Sequence, residues 1–128
     1  MANIDVKIEL VYLLTCEQLH VLMYMKALKK LRRENYDVSL SIPSAREYLR
    51  MGSDKIRHCL RVLTKLNIIE KRFEAITKAR MPAVYHLNDY AAANQIGSWA
   101  ESNRLPGEST FTAIKRYAKQ HNYRRTPI

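Results

Sequence analysis

Apolar and polar residues alternate at the start of the chain. In residues 3–11, NIDVKIELV, the apolar side chains Ile4, Val6, Ile8 and Leu10 are separated by single polar residues. A period of two is typical of a strand with one buried face. The pattern therefore predicts an N-terminal strand, which must pair elsewhere in the fold or with another subunit because no hairpin partner adjoins it.

A helical period replaces this alternation from Thr15 onwards. Thr15 followed by Gln18 is a capping-box pattern, which marks the start of a helix. The spacing predicts a first helix over about 16–34 and a very short strand within 36–42. The apolar positions of this helix are Leu19, Leu22, Met23, Leu28 and Leu31.

Two further helices and a tight turn are predicted in the middle of the chain. Pro43 suits the first turn of a short helix, and Gly52 tolerates the left-handed conformation that ends helices. Ser53 is a good N-cap for a third helix over about 54–66. Its apolar stripe, which we expect in the core, is Ile56, Cys59, Leu60, Leu63 and Leu66. Its opposite face carries Lys55, Arg57, His58, Arg61, Thr64 and Lys65.

The remaining pattern predicts a hairpin and two more helices. IIEKRF and PAVYHL read as two strands joined by a polar, cationic loop. Helices are then predicted over 90–103 and 110–123, before the basic tail RRTPI. The predicted fold class is α+β, mainly α. The predicted domains are residues 1–88 and a helical extension over 89–128.

Charge distinguishes this chain from an average small protein. Its 128 residues include 22 Lys and Arg against 12 Asp and Glu, a net charge of +10. Such an excess favours nucleic acid as a partner. No apolar run of transmembrane length and no secretory signal pattern occurs, so we expect a cytoplasmic protein without a membrane partner. Two cysteines, Cys16 and Cys59, are too few for a disulfide framework and are predicted to be buried free thiols.

The segment IPSAREYLRMGSDKIRHCLRVLTKLNIIEKRF, together with the hairpin it enters, resembles a winged helix-turn-helix. The resemblance covers roughly residues 15–87 and is greatest to small phage and plasmid replication, partition and regulatory proteins. It departs from the usual pattern at Asn67, where many such proteins have glycine; Asn tolerates the same left-handed backbone. The resemblance implies that the third helix is a recognition helix for DNA and that the hairpin is the wing.

Candidate DNA-binding residues follow from this resemblance and from groove geometry. The N-terminal part of a recognition helix approaches base edges, so Lys55 and Arg57 are expected to donate to guanine. Arg61 and Lys65 lie further along and are expected to meet phosphates. Ser44 and Ser53 lie at helix starts, where backbone N–H groups favour an anionic oxygen. The remaining candidates are His58 beside the bases, Lys71, Arg72, Lys78 and Arg80 in the wing, and Arg124 and Arg125 in the tail.

The small residues of 90–103 allow two interpretations. Ala91, Ala92, Ala93 and Ala100 suit either packing within the chain or the interface of a homodimer, and DNA-binding dimers match two half-sites. A homodimer is the expected state.

No motif in the sequence predicts catalysis or metal binding. The four His are scattered, and neither metal-ligand spacings nor phosphate-binding glycine motifs occur. We therefore expect no enzyme activity, no metal, no cofactor and no small-molecule ligand. The expected function is sequence-specific binding of double-stranded DNA, in transcriptional regulation or in replication or partition of a phage or plasmid. A protein–protein adaptor and an RNA-binding protein are the alternatives.

Overall fold

Most of the described residues are helical, and three short strands form one small sheet. The computed structural model describes residues 6–31, 37–74 and 82–120. The elements in these ranges are α1 (Ile8–Leu13), α2 (Cys16–Leu31), β1 (Asp37–Leu40), α3 (Ile42–Leu49), α4 (Ser53–Lys65), β2 (Ile69–Phe73), β3 (Ala83–Leu87), α5 (Asp89–Asn103) and α6 (Thr110–Gln120). The predicted α+β, mainly helical class is confirmed, as are both C-terminal helices, the second of them up to Gln120; its predicted residues 121–123 lie outside the described ranges.

The three strands form one antiparallel sheet in the order β1-β3-β2. The central strand β3 pairs with β1 from Asp37 opposite His86 to Leu40 opposite Ala83. On its other side β3 pairs with β2, and a bulge at Arg72 interrupts this register. The predicted hairpin of β2 and β3 is therefore confirmed, and β1 extends it to three strands. Residues 75–81, which connect β2 to β3 in the sequence, lie outside the described residues.

The start of α2 has the predicted capping box. The Thr15 N–H donates to Gln18 Oε1 at 3.1 Å, and the Gln18 N–H donates to Thr15 Oγ1 at 3.3 Å. Two backbone donors that have no partner within the helix are thus satisfied reciprocally. The described part of α2 ends at Leu31, and the predicted residues 32–34 lie outside the described ranges.

The predicted N-terminal strand is wrong for its second half. Residues 8–13 form helix α1, and its buried side chains Leu10 and Leu13, with Leu14 after it, follow a helical period. This helix packs against α5 and α6. Residues 1–5 lie outside the described residues, so the predicted pairing of residues 3–5 is not described. The contact with two helices far away in the sequence, rather than the local alternation, determines the conformation.

The turn between α3 and α4 differs in detail from the prediction. Arg50, not Gly52, takes the left-handed conformation that ends α3, with φ of 56°. Gly52 has an extended backbone and is the N-cap of α4, so the predicted N-cap Ser53 is the first helical residue. Asn67 is left-handed as predicted, with φ of 60°, and turns the chain from α4 into β2.

Among the described residues, a hydrophobic core contains side chains from each of the nine helices and strands. The predicted α4 stripe, from Ile56 to Leu66, is buried throughout. Three of the four alanines of α5 are also buried: Ala92, Ala93 and Ala100 lie inward together with Ile96, whereas Ala91 is exposed, and α5 packs against α1 and α6. The packing interpretation of this stripe is therefore confirmed, while the expected homodimer stays a prediction.

A nearly buried ion pair ties α2 to the first residue of α5. Lys26 Nζ lies 2.7 Å from Asp89 Oδ2, and their side chains are only 13% and 9% exposed. The ammonium also lies 4.8 Å from the centre of the Tyr90 ring. The pair joins residues 63 positions apart, so no sequence period predicts it.

Candidate nucleic-acid interface

One face of α4 is exposed and cationic. Arg57, Arg61 and Lys65 recur every four residues along this face, and all three are exposed. We call these three residues the α4 strip. Within Ser53–Lys65, four Lys and Arg against one Asp give a net +3. The core stripe lies on the opposite side, so α4 presents its charge outwards, as predicted for these three residues.

Lys55 is placed differently from the α4 strip. Its ammonium lies 3.4 Å from Glu17 Oε1 at the start of α2, and its side chain is half-buried. This pair fixes the first turn of α4 beside the first turn of α2. Glu17 therefore competes with any other anion for the Lys55 ammonium.

Arg57 has an acidic neighbour within its own helix. The Arg57 guanidinium lies 3.6 Å from Asp54 Oδ1, three residues earlier. The Asp54 side chain is 95% exposed and that of Arg57 is 54% exposed. Both groups are therefore open to solvent, and Arg57 is within reach of an approaching ligand.

The predicted position of His58 on the exposed face is wrong. Its residue is only 7% exposed. The helix contacts both α2 and α3, so its buried arc is wider than one apolar stripe and includes His58 and Val62. His58 is therefore no part of the surface that an external ligand meets.

The two helix starts offer unequal sites for an anion. The Ser44 N–H already donates to Ser41 Oγ, which caps α3, at 3.4 Å. The predicted anion site at Ser44 is therefore occupied by a side chain of the chain itself. The first turn of α4, with Ser53, follows Gly52, which has no side chain that caps it.

The hairpin of β2 and β3, the predicted wing, follows α4 in the chain, and its described part is electrically balanced. Glu70, Lys71, Arg72 and Phe73 are all exposed on β2. Lys71 Nζ lies 3.2 Å from Glu74, and Arg72 Nη2 lies 3.7 Å from Glu70. Two cations and two acids cancel here. Lys78 and Arg80, which carry the predicted excess of the wing, lie outside the described residues.

Among the C-terminal cations, too, a described one is paired with an acid and the predicted DNA-binding ones are not described. Arg116 on α6 donates to Glu108 at 2.9 and 3.2 Å and also to the Asn103 carbonyl. The hydrogen bonds from Arg116 hold the pKa of Glu108 below its ordinary value. Arg116 therefore secures the link between α5 and α6. Arg124 and Arg125 lie outside the described residues.

The two thiols have opposite environments. Cys59 is buried on α4 as predicted. Cys16, at the start of α2, is exposed, so its predicted burial is wrong. Burial, reinforced by the nearby Glu17 carboxylate, raises the pKa of the Cys59 thiol to about 11. A buried neutral thiol acts as a small apolar side chain.

The raised pKa of Cys59 predicts a loss of stability in alkali. In the unfolded chain this thiol ionises near its ordinary pKa of 9.0, whereas the folded chain keeps the proton up to a pH of about 11. Between these values the unfolded state binds fewer protons, so the free energy of unfolding falls as pH rises. Urea unfolding of the native chain and of a Cys59→Ala variant, from pH 8 to 10.5, measures this. The difference in stability between them should shrink with pH; a constant difference would contradict the assignment.

Ionisable side chains form no metal site in the described ranges. No group of three or more His, Cys, Asp or Glu among these residues could hold a metal ion. Among the helices described, none is long and apolar enough to span a bilayer.

The sequence indicates the cations of α4 more readily than it indicates their acidic partners. Glu17 was no candidate, because its contact with Lys55 spans 38 positions of the chain. The Asp54–Arg57 pair does have a local signal, since residues three apart are neighbours on a helix.

Comparisons of the chain with models of protein families, with curated proteins and with solved structures gave no match.

Proposed function

We propose that this chain is a winged helix-turn-helix protein that binds double-stranded DNA sequence-specifically, with α4 in the major groove and the wing beside it. Its biological role would be transcriptional regulation, or replication or partition of a phage or plasmid. The observation that carries the proposal is the two-sided character of α4. Its inner side is core, and its outer side is the exposed α4 strip.

The dimensions of α4 suit a DNA groove. The major groove of B-DNA is about 12 Å wide and admits an α-helix. Residues four apart on a helix are separated by about 6 Å along its axis. The α4 strip therefore offers three cations over roughly 12 Å along one side of the helix.

The roles of the cations follow from their positions. Arg57, in the second turn of α4, is expected to donate both guanidinium nitrogens to the O6 and N7 acceptors of guanine. Arg61 and Lys65 lie nearer the C-terminal end and are expected to contact phosphates. The order of α3, turn, α4 and hairpin supports the same arrangement. In helix-turn-helix proteins the first helix of the motif, here α3, crosses the DNA backbone, and the second enters the major groove.

Selection from a random pool of duplexes, followed by sequencing, tests the proposal. We expect enrichment of a defined site, and a palindrome would also support the predicted homodimer. Equal retention of all duplexes, or preferential retention of RNA, would contradict it. Preferential binding of an acidic protein would instead support the adaptor function.

The phosphate role of Arg61 predicts an effect that is independent of sequence. Arg61→Ala should weaken binding to selected and scrambled duplexes alike and reduce the slope of log K against log salt by about 1. Arg104→Ala is the matched control, because Arg104 is exposed just after α5, outside α4 and the wing. It removes the same charge and should leave the slope nearly unchanged. An Arg61→Ala slope equal to that of Arg104→Ala would place Arg61 away from the DNA.

A further inference from the structure

Both cations closest to the N-terminal end of α4 have an acidic partner. Lys55 pairs with Glu17 of α2, and Arg57 pairs with Asp54. Further along the helix, Arg61 forms no ion pair with any described residue. The end of α4 that would approach base edges is therefore partly neutralised, whereas the middle of the helix is not.

Asp54 is unusual because of its exposure as well as its charge. It is the only acid within Ser53–Lys65, and its side chain is 95% exposed. A carboxylate at the first turn stabilises the positive end of a helix. On a surface that meets polyanionic DNA, however, the same carboxylate repels phosphates and weakens binding to any duplex. A helix-stabilising role alone gives no reason for Asp54 to affect the choice between DNA sequences.

We propose that Asp54 is a specificity-determining residue of the α4 surface, an inference that rests on the proposed function. Its carboxylate keeps phosphates away from the first turn of α4. It also holds the Arg57 guanidinium near the groove floor, so that Arg57 gains more from guanine than from the sugar–phosphate backbone. Repulsion of the wrong partner and orientation of the right contact both increase discrimination, at a cost in affinity.

Neutral replacements of Asp54 test this role through a ratio of affinities. The ratio is the affinity for a duplex from the random-pool selection over that for a scrambled duplex of the same composition. Asp54→Asn should raise the affinity for the scrambled duplex by about two- to fivefold, the range of an exposed charge interaction. It should lower the ratio by about fivefold or more, because a bidentate base contact is weakened. Asp54→Ser should do the same and guards against an effect peculiar to asparagine.

The matched control is Glu101→Gln, which removes one exposed negative charge from α5. It should leave the ratio unchanged. Changing the guanine of the selected site to adenine should cost the native chain far more affinity than it costs Asp54→Asn. Thermal unfolding of each variant confirms that the chain being compared is folded.

The outcomes separate this inference from the function on which it rests. If the native chain discriminates between duplexes and both Asp54 variants keep its ratio, the inference is overturned and the proposed function stands. If Glu101→Gln lowers the ratio as much as Asp54→Asn, net charge is responsible and the inference is again overturned. If the native chain does not discriminate, the proposed function fails and the inference fails with it.

Discussion

Leu63→Ala should lower the free energy of unfolding by about 3–5 kcal/mol, the largest change that we expect from one substitution. Leu63 has no solvent exposure and lies in the core stripe of α4. Its truncation removes apolar contacts and leaves a cavity that the helices around it fill only partly. Because α4 is held by this core, the variant should bind DNA normally when cold and lose binding at a lower temperature than the native chain.

The matched control for this substitution is Leu31→Ala at the end of α2. The same atoms are removed, but Leu31 is 77% exposed, so the change should stay within about 0.5 kcal/mol. Urea unfolding measures both variants. A loss below about 1 kcal/mol for Leu63→Ala would show that α4 is not packed as described.

Asp89→Asn should lower the free energy of unfolding by about 3 kcal/mol. The substitution removes the carboxylate of an ion pair in which the Lys26 side chain is only 13% exposed. Loss of one partner of a buried ion pair costs several kcal/mol, whereas removal of both charges costs much less. The double variant with Lys26→Met should therefore recover most of the loss, and the coupling energy of the pair follows from the double-mutant cycle.

Asp54→Asn provides the comparison for Asp89→Asn. Both residues are acids in the first turn of a helix, but the side chain of Asp54 is exposed. Its replacement should cost less than about 1 kcal/mol, the contribution of a helix-end charge. Equal losses at the two positions would mean that burial of the Lys26–Asp89 pair contributes nothing.

Local signals in the sequence predicted most of the elements. The capping box at Thr15, the proline of α3 and the left-handed Asn67 each act within a few residues, so their effects can be read from the sequence. The same holds for the core stripe of α4, since an apolar residue every three or four positions gives a helix one apolar face. These elements are the ones that position the α4 strip.

The failures lie where distant parts of the chain decide the outcome. Residues 3–11 alternate like a strand, yet residues 8–13 are helical and pack against α5 and α6. A single apolar stripe on α4 predicts that His58 is exposed. It is buried because both α2 and α3 pack against α4. The Glu17 partner of Lys55 is likewise set by the fold, because nothing near Lys55 in the sequence indicates it. Neither composition nor period contains this information.

The proposed function depends on Arg57 reading a base while the rest of the surface supplies charge. The most direct measurement compares Arg57→Ala with Arg104→Ala in binding to the selected and to the scrambled duplex at physiological salt. Arg57→Ala should lose about 1–3 kcal/mol on the selected duplex and much less on the scrambled one, while Arg104→Ala should lose little on either. If the two variants lose the same affinity on both duplexes, α4 does not read DNA and the proposed function is contradicted.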